Sequence, residues 1–348
     1  MNFYLEKFDS FSDSKWDKII TSLDGSTFFH SSIIINYYCA FNENIKNISF
    51  LVKDDESKYV AAVVVGITKE KKQNKISFSK TLCPMPALAS LIKSKRTKLN
   101  DFIWREINKI ASKNDIKKFK FKLYPINNYC IRNNIISSMN TFESLKYFSK
   151  IEVFNHLILN LKKSDTELNE NLSKYRRKDI KKSIKEKISI QIVNNKNLSN
   201  IKLKMREFRL SHLESAGKIT RPIKTWNLME SALKKNQAQL FEAKKAKKTI
   251  SYLYCGKYGK SAWGWSQVNK KEHERKIPVR HYLEWYAINY FKKKGYIFYD
   301  LGERFYSSNF SSISQKEISI SEFKEKYGAE MYPAIDFDAP ITHENGSS

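Results

Sequence analysis

The stretch from Ile277 to Pro333 constrains the fold most, because it marks its own element ends. Pro278 suits the first turn of a helix, where a missing N–H costs nothing. Leu283, Tyr286, Ala287 and Tyr290 follow at i, i+3, i+4 and i+7, which makes one apolar stripe. Lys292, Lys293 and Lys294 fall in the last turn, where the helix dipole favours cations, and Gly295 supplies a left-handed stop. Tyr296–Leu301 is apolar on both faces until Asp300 and reads as a buried strand. Ser321–Pro333 (SEFKEKYGAEMYP) then predicts a short helix and a closing strand. The series helix, strand, loop, short helix, strand belongs to an α/β protein.

Upstream, Asn155–Leu161 reads as a strand and Ser164-x-x-Glu167 as a capping box. Leu168, Leu172, Ile180 and Ile184 mark the inner stripe of the following helix, with a break near Ser173. Ile188, Ile190 and Ile192 alternate as a strand. Met205–Ala216 is helical, and a second helix follows Arg221-Pro222. Gln239–Ala243, Thr249–Cys255 and Ser261–Val268 predict a three-stranded meander with turns at Lys244–Lys248 and Gly256–Lys260. The first half repeats the inventory. It has strands at Ile48–Lys53, Tyr59–Ile67, Ile76–Leu82 and Phe119–Leu123, and helices at Leu99–Ser112 and Asn127–Ser138. Two α/β modules are therefore expected, residues 1–150 and 151–337, with 338–348 as a loose tail.

The charge needs its own account. Sixty-three Lys and Arg against 36 Asp and Glu give +27. An AT-rich genome explains Lys over Arg but not bases over acids. A field of this sign attracts polyanions such as tRNA, nucleotide-linked sugars or anionic lipid head groups. No uncharged apolar run nears about 18 residues, so no transmembrane helix is expected. The expectation is a cytoplasmic protein, with a peripheral membrane contact left open. Cys39, Cys83, Cys130 and Cys255 lie far apart without CxxC, so no metal site is expected.

Several residues could carry chemistry. Asp300 and Glu303 end a central strand, where α/β proteins place their sites. Asp300 reads equally as a base and as a turn cap; Glu303 reads better as a solvated acid. Lys324 and Tyr327 are one turn apart and are expected to share a helix face. Arg176 interrupts an apolar stripe, so a buried fork for phosphate or carboxylate is expected there, with Arg177 beside it. Trp263 and Trp265, two apart on a strand, are expected to share a face that is core, pocket wall or stacking surface.

The order LEWYAINYFKKKGYIFYDLGER, then KEISISEFKEKYGAE, resembles the C-terminal half of the FemABX-type aminoacyltransferases, a branch of the GNAT acyltransferase superfamily. YRRKDIKKSIKEKISI and HLESAGKITRPIKTW resemble further segments of that family. The likeness covers roughly Asn155–Pro333 and implies two tandem GNAT-like modules with mixed sheets. It also implies that Lys324 contacts an acceptor phosphate or a developing oxyanion, and that His212, Arg221 and Trp226 line a pocket. CoA-using GNAT enzymes carry a glycine loop that cradles pyrophosphate. The corresponding stretch here, SQVNKKEHERKIPVRH, has no glycine, nor has Cys83–Asn100. That favours aminoacyl-tRNA as donor over acyl-CoA, with no permanently bound cofactor. The function implied is transfer of an acyl or aminoacyl group to an amine of an anionic, small-molecule or lipid-linked cell-envelope precursor or amino sugar. A basic tRNA- or RNA-binding protein on a degenerate acyltransferase fold, and a CoA-dependent N-acetyltransferase, are the alternatives.

Overall fold

Alternating apolar residues build the sheets, and helices with one apolar face cover them. The computed structural model describes residues 2–42, 45–68, 83–114, 116, 118–136, 146–148, 150–193, 195–270, 277–307 and 313–340. The chain divides into two compact units: Met1–Phe154 with Pro333–Ser348, and Asn155–Tyr332.

The first unit opens with β1 (Phe3–Lys7), α1 (Asp13–Ser22) and α2 (Ser32–Phe41). Then come β2 (Ile45–Asn47), β3 (Phe50–Asp54), β4 (Tyr59–Val63), β5 (Gly66–Thr68) and β6 (Ala87–Leu88). Helix α3 (Lys93–Lys113), β7 (Lys118–Leu123) and α4 (Asn128–Asn133) follow. β1, β3, β4 and β6 form one sheet, and β2 pairs with β5. The apolar face of α3, Leu99, Ile103, Trp104 and Ile107, packs into the core with Phe119 and Phe121 of β7. The strand expected at Ile76–Leu82 lies outside the described residues.

The second unit holds most of β8 (Lys150–Asn160), then α5 (Asp165–Asn171), α6 (Lys174–Lys185) and β9 (Ser189–Ile192). Helices α7 (Leu198–Ala216) and α8 (Ile223–Lys234) precede the meander β10 (Ala238–Lys245), β11 (Lys248–Tyr258) and β12 (Ser261–Asn269). Helix α9 (Val279–Lys293), β13 (Phe298–Arg304), α10 (Gln315–Glu325) and β14 (Glu330–Pro340) close the chain. The sheet order is β8-β13-β12-β11-β10-β9. All neighbours are antiparallel except β12 and β13.

The expected local signals shape this unit. The Ser164–Glu167 capping box starts α5, and Ser173 caps α6 after the break. Pro278 is the N-cap of α9, and Gly295 takes φ +74 just beyond its end. The buried stripe of α9 is rotated from the expected one. Leu283 and Ala287 lie in it, but Glu284, Ile288 and Phe291 complete it, while Tyr286 and Tyr290 are half-buried. The turn between β10 and β11 uses Ala246 and Lys247, both at positive φ.

The tail differs from expectation. Asp338–Pro340 is not loose, because β14 pairs with β7 through Pro340. Phe337 and Ala339 alternate into the first unit's core, while Asp336 and Asp338 meet Lys122 and Lys120 at 3.3 and 3.5 Å. These acids answer basic residues on the paired strand, so β14 belongs from Pro333 onward with the first unit.

Candidate active site

The parallel pairing of β12 with β13 covers only Ser261–Trp263 against Phe298–Asp300. Beyond it β12 runs on to Asn269 and β13 to Arg304 without further pairing to each other. β13 stays attached to β8 on its other side, but a bulge between Asp300 and Gly302 shifts the register there. Gly302 sits at φ +91, a conformation L side chains rarely adopt. The bulge turns the strand end so that Asp300 and Glu303 both reach His156 of β8. His156 is buried. Its Nδ1 lies 3.1 Å from Asp300 Oδ2, and its Nε2 lies 3.8 Å from Glu303 Oε1. Asp300 Oδ1 also accepts the Gly302 N–H at 2.6 Å.

Burial alone would lower the His156 pKa. The two carboxylates outweigh it and raise the pKa to about 9. At neutral pH the ring is therefore an imidazolium, and the group is a charged triad of one cation and two acids. Asp300 thus plays the turn-capping part and an ion-pairing part together.

Lys324, in the last turn of α10, points at the same place. A Cβ on Gly302 would stand 3.0 Å from Lys324 Nζ and 3.9 Å from Trp263 Nε1. Gly302 therefore serves both the backbone turn and the lysine's room. Lys324 is partly exposed as a whole residue, yet its surroundings are dense enough for burial to lower its ammonium pKa. Glu284, Asp300 and Glu303 pull in the opposite sense. Glu284 of α9 is buried, and desolvation raises its pKa. Its Oε1 accepts the Tyr299 hydroxyl at 2.5 Å.

The segment around Lys324 is held by stacking. Arg176 is buried, its Nη2 donates to the Phe323 carbonyl at 2.6 Å, and its guanidinium lies 4.4 Å from the Phe323 ring and 4.5 Å from the Tyr327 ring. His281 stacks on Phe323 with centroids 4.8 Å apart. Arg176 is thus buried as its place in the stripe demands, but it grips the segment that carries Lys324. Arg177 donates from Nη1 to the carbonyls of Asn169, Glu170 and Leu172, at 3.1, 2.8 and 2.5 Å, and so caps the end of α5. Tyr327 does not share a helix face with Lys324, because α10 ends at Glu325. Tyr327 is buried past that end, and its hydroxyl donates to the His281 carbonyl at 3.3 Å.

The other expected residues gather elsewhere in the unit. Ser266 Oγ lies 3.1 Å from His212 Nε2 and 3.2 Å from Arg221 Nη2. Arg221 stands over the Trp226 ring at 4.8 Å. Burial, then Arg221, lower the His212 pKa to about 4, so its ring is neutral. A bulge leaves Trp265 as the extra residue between Gly264 and Ser266 and breaks the alternation that would put both tryptophans on one face. Trp263 reaches toward Gly302, whereas Trp265 packs edge-on against Tyr254 at 5.6 Å.

A scan against known protein families finds no match, and no curated protein is similar in sequence. Solved structures are similar in fold. A crystal structure of FemX superposes with a TM-score of 0.68 at 12% identity, covering 97% of each chain. The chain has a tandem GNAT-like fold similar to that of FemX. The C-terminal domain of a putative lysylphosphatidylglycerol synthetase from Agrobacterium fabrum matches with TM-score 0.56 at 9% identity, over 94% of this chain and 92% of that one. A tandem GNAT protein from the clavulanic acid biosynthesis pathway matches with TM-score 0.51 at 11% identity, over 99% of this chain and 100% of that one. At these identities the likeness concerns the fold: two GNAT-like modules with mixed sheets.

Sequence reasoning passed over His156, Glu284 and Tyr299. His156 stood in the strand alternation with no sign of its partners. Glu284 carried a signal: an acid at a position adjoining the apolar stripe of α9.

Proposed function

We propose that the protein is an acyltransferase that moves an acyl or aminoacyl group from a carrier to the amine of an anionic cell-envelope precursor or amino sugar. The observation that carries this reading is the Lys324 ammonium, partly desolvated among Glu284, Asp300 and Glu303, at the point where β12 and β13 part. Acyl transfer needs a positive group where the carbonyl oxygen becomes an oxyanion, and a carboxylate to take the amine's proton. In this reading the acceptor amine attacks the carbonyl carbon of the carrier ester. The C–N bond forms and the carbonyl electron pair moves to oxygen, beside Lys324. Collapse breaks the ester C–O bond. The amine proton passes to Glu303 and then to the departing carrier oxygen. His156 is not the base, because with a pKa of about 9 it is already protonated at neutral pH. It is a positioning residue that holds Asp300 and Glu303.

The fold neighbours favour an envelope acceptor, since one is by name a lysylphosphatidylglycerol synthetase and another is FemX. The donor this reading favours is aminoacyl-tRNA, with acyl-CoA second, because neither candidate loop has the glycines of a pyrophosphate cradle.

Lys324→Ala is expected to keep the fold and lower kcat by about 10²–10³, the usual loss for one oxyanion contact. Lys326→Ala, exposed two residues on, is the matched control and should leave turnover unchanged. A rise in KM with kcat intact would assign Lys324 to acceptor phosphate binding instead. Wild-type turnover by both variants with a verified substrate would refute the site.

A further inference from the structure

Helix α7 carries large apolar side chains on both faces. Ile201, Met205 and Phe208 face the core. Leu203, Leu210 and Leu213 lie on the opposite face and are exposed. The loop after the helix adds Ile219, 80% exposed, and α8 begins with exposed Ile223. Six of the seventeen large apolar side chains exposed among the described residues fall between Leu198 and Ile223. Scattered exposed apolar residues need no explanation, but a cluster on one hairpin does.

The same surface is basic. Lys202, Arg206 and Arg209 interleave with the outer leucines, and Lys218 flanks Ile219. Lys202, Arg206 and Lys218 are exposed. Lys204 is the contrast: it turns the other way and pairs with Glu207 and Glu242 at 2.9 and 2.8 Å. Between Leu198 and Lys224 the sequence has seven Lys or Arg and two acids. An exposed apolar strip edged by cations suits the boundary of an anionic bilayer, where leucines enter the acyl edge and cations meet the head groups. A single-stranded or folded RNA would draw on the cations but give the leucines nothing to bury against.

We infer that the α7–α8 hairpin docks on an anionic lipid bilayer through Leu203, Leu210, Leu213 and Ile219, with Lys202, Arg206, Arg209 and Lys218 at the head groups. The docking surface is coupled to the strand that borders the candidate site. His212 of α7 and Arg221 of the loop both meet Ser266 of β12, and Trp263 of β12 lies beside Gly302. The inference deepens the proposed transfer, on which it rests for the choice of a lipid-linked over a free acceptor.

Vesicle flotation tests it without any turnover assay. The chain's charge alone draws it to anionic vesicles, so the informative variant leaves charge untouched. Leu203→Ser/Leu210→Ser/Ile219→Ser should weaken binding to vesicles containing phosphatidylglycerol by roughly tenfold or more. Tyr4→Ser/Ile92→Ser/Ile135→Ser, equally exposed but elsewhere, should leave it unchanged. Both triple variants should melt like the wild type. Equal binding by the two triple variants would overturn the inference, as would an equal loss of tRNA binding by the first. Loss of vesicle binding with acyl transfer to a free acceptor intact would uphold the docking surface and set the lipid-linked acceptor aside.

Discussion

His156 carries a charge where burial would forbid one, and the cause is the pair of acids around it. Removing the ring should therefore change how stability depends on pH. The folded pKa, about 9, lies above the ordinary 6.5. The stabilisation is fully present below about pH 6.5 and is lost as pH rises toward 9, since the folded state holds a proton the unfolded chain has released. The shift corresponds to a contribution on the order of 3 kcal/mol. Urea titrations of the wild type across this window should show falling stability, and His156→Gln should lack that slope. A parallel slope in both proteins would mean that the Asp300–His156–Glu303 triad is neutral. Arg176 and Arg177 teach a related lesson. They are adjacent and chemically identical, yet one is buried between two rings and the other caps a helix end. Their place on α6, with its period of 3.6, separates them.

At the scale of elements, the segment after α10 is the most constrained. Gly328 has φ +75, and a Cβ there would stand 2.4 Å from the Asn171 carbonyl oxygen. The Ser173 N–H donates to the Lys326 carbonyl at 3.1 Å, so the end of α10 is laid against the break between α5 and α6. Gly328→Ala must strain its own backbone and push α5 away. A loss of about 3 kcal/mol or more is expected, in the range of backbone strain combined with overpacking. Chemical denaturation measures it, and a loss under about 1 kcal/mol would show that the two segments separate readily. This junction also shows what the sequence could reveal. Ser173, Gly295 and the Ser164 capping box act through residues a turn away, and local chemistry was enough to read them. His156 and Asp300 lie 144 positions apart, and only the sheet register makes them neighbours. The tail from Asp338 is illegible for the same reason, because its acid looks solvated until Lys120 of the paired strand is placed beside it.

For the whole molecule the dominant property is its charge, and here the sequence states a quantity without a purpose. The +27 total attracts any polyanion, so binding to RNA is by itself weak support for a tRNA-linked donor. Salt separates specific contact from general attraction. If aminoacyl-tRNA is the donor, several Lys and Arg side chains must neutralise phosphates and release counterions. Affinity should then fall with a log–log slope of about −0.7 to −0.9 per phosphate contact. Calorimetric titration with CoA under the same conditions should give no saturable binding in the micromolar range, about −8 kcal/mol. A flat salt dependence with tRNA and a clear CoA isotherm would exchange the two donors and assign the protein to CoA-dependent N-acetyl transfer. A steep tRNA slope with no turnover on any amine acceptor would instead favour the non-catalytic RNA-binding reading. Lys324→Ala tells these apart. A transferase loses its rate while keeping its tRNA affinity, because one half-buried ammonium adds little to a field of 63 cations but stands at the Gly302 turn, where the proposed transfer puts the oxyanion.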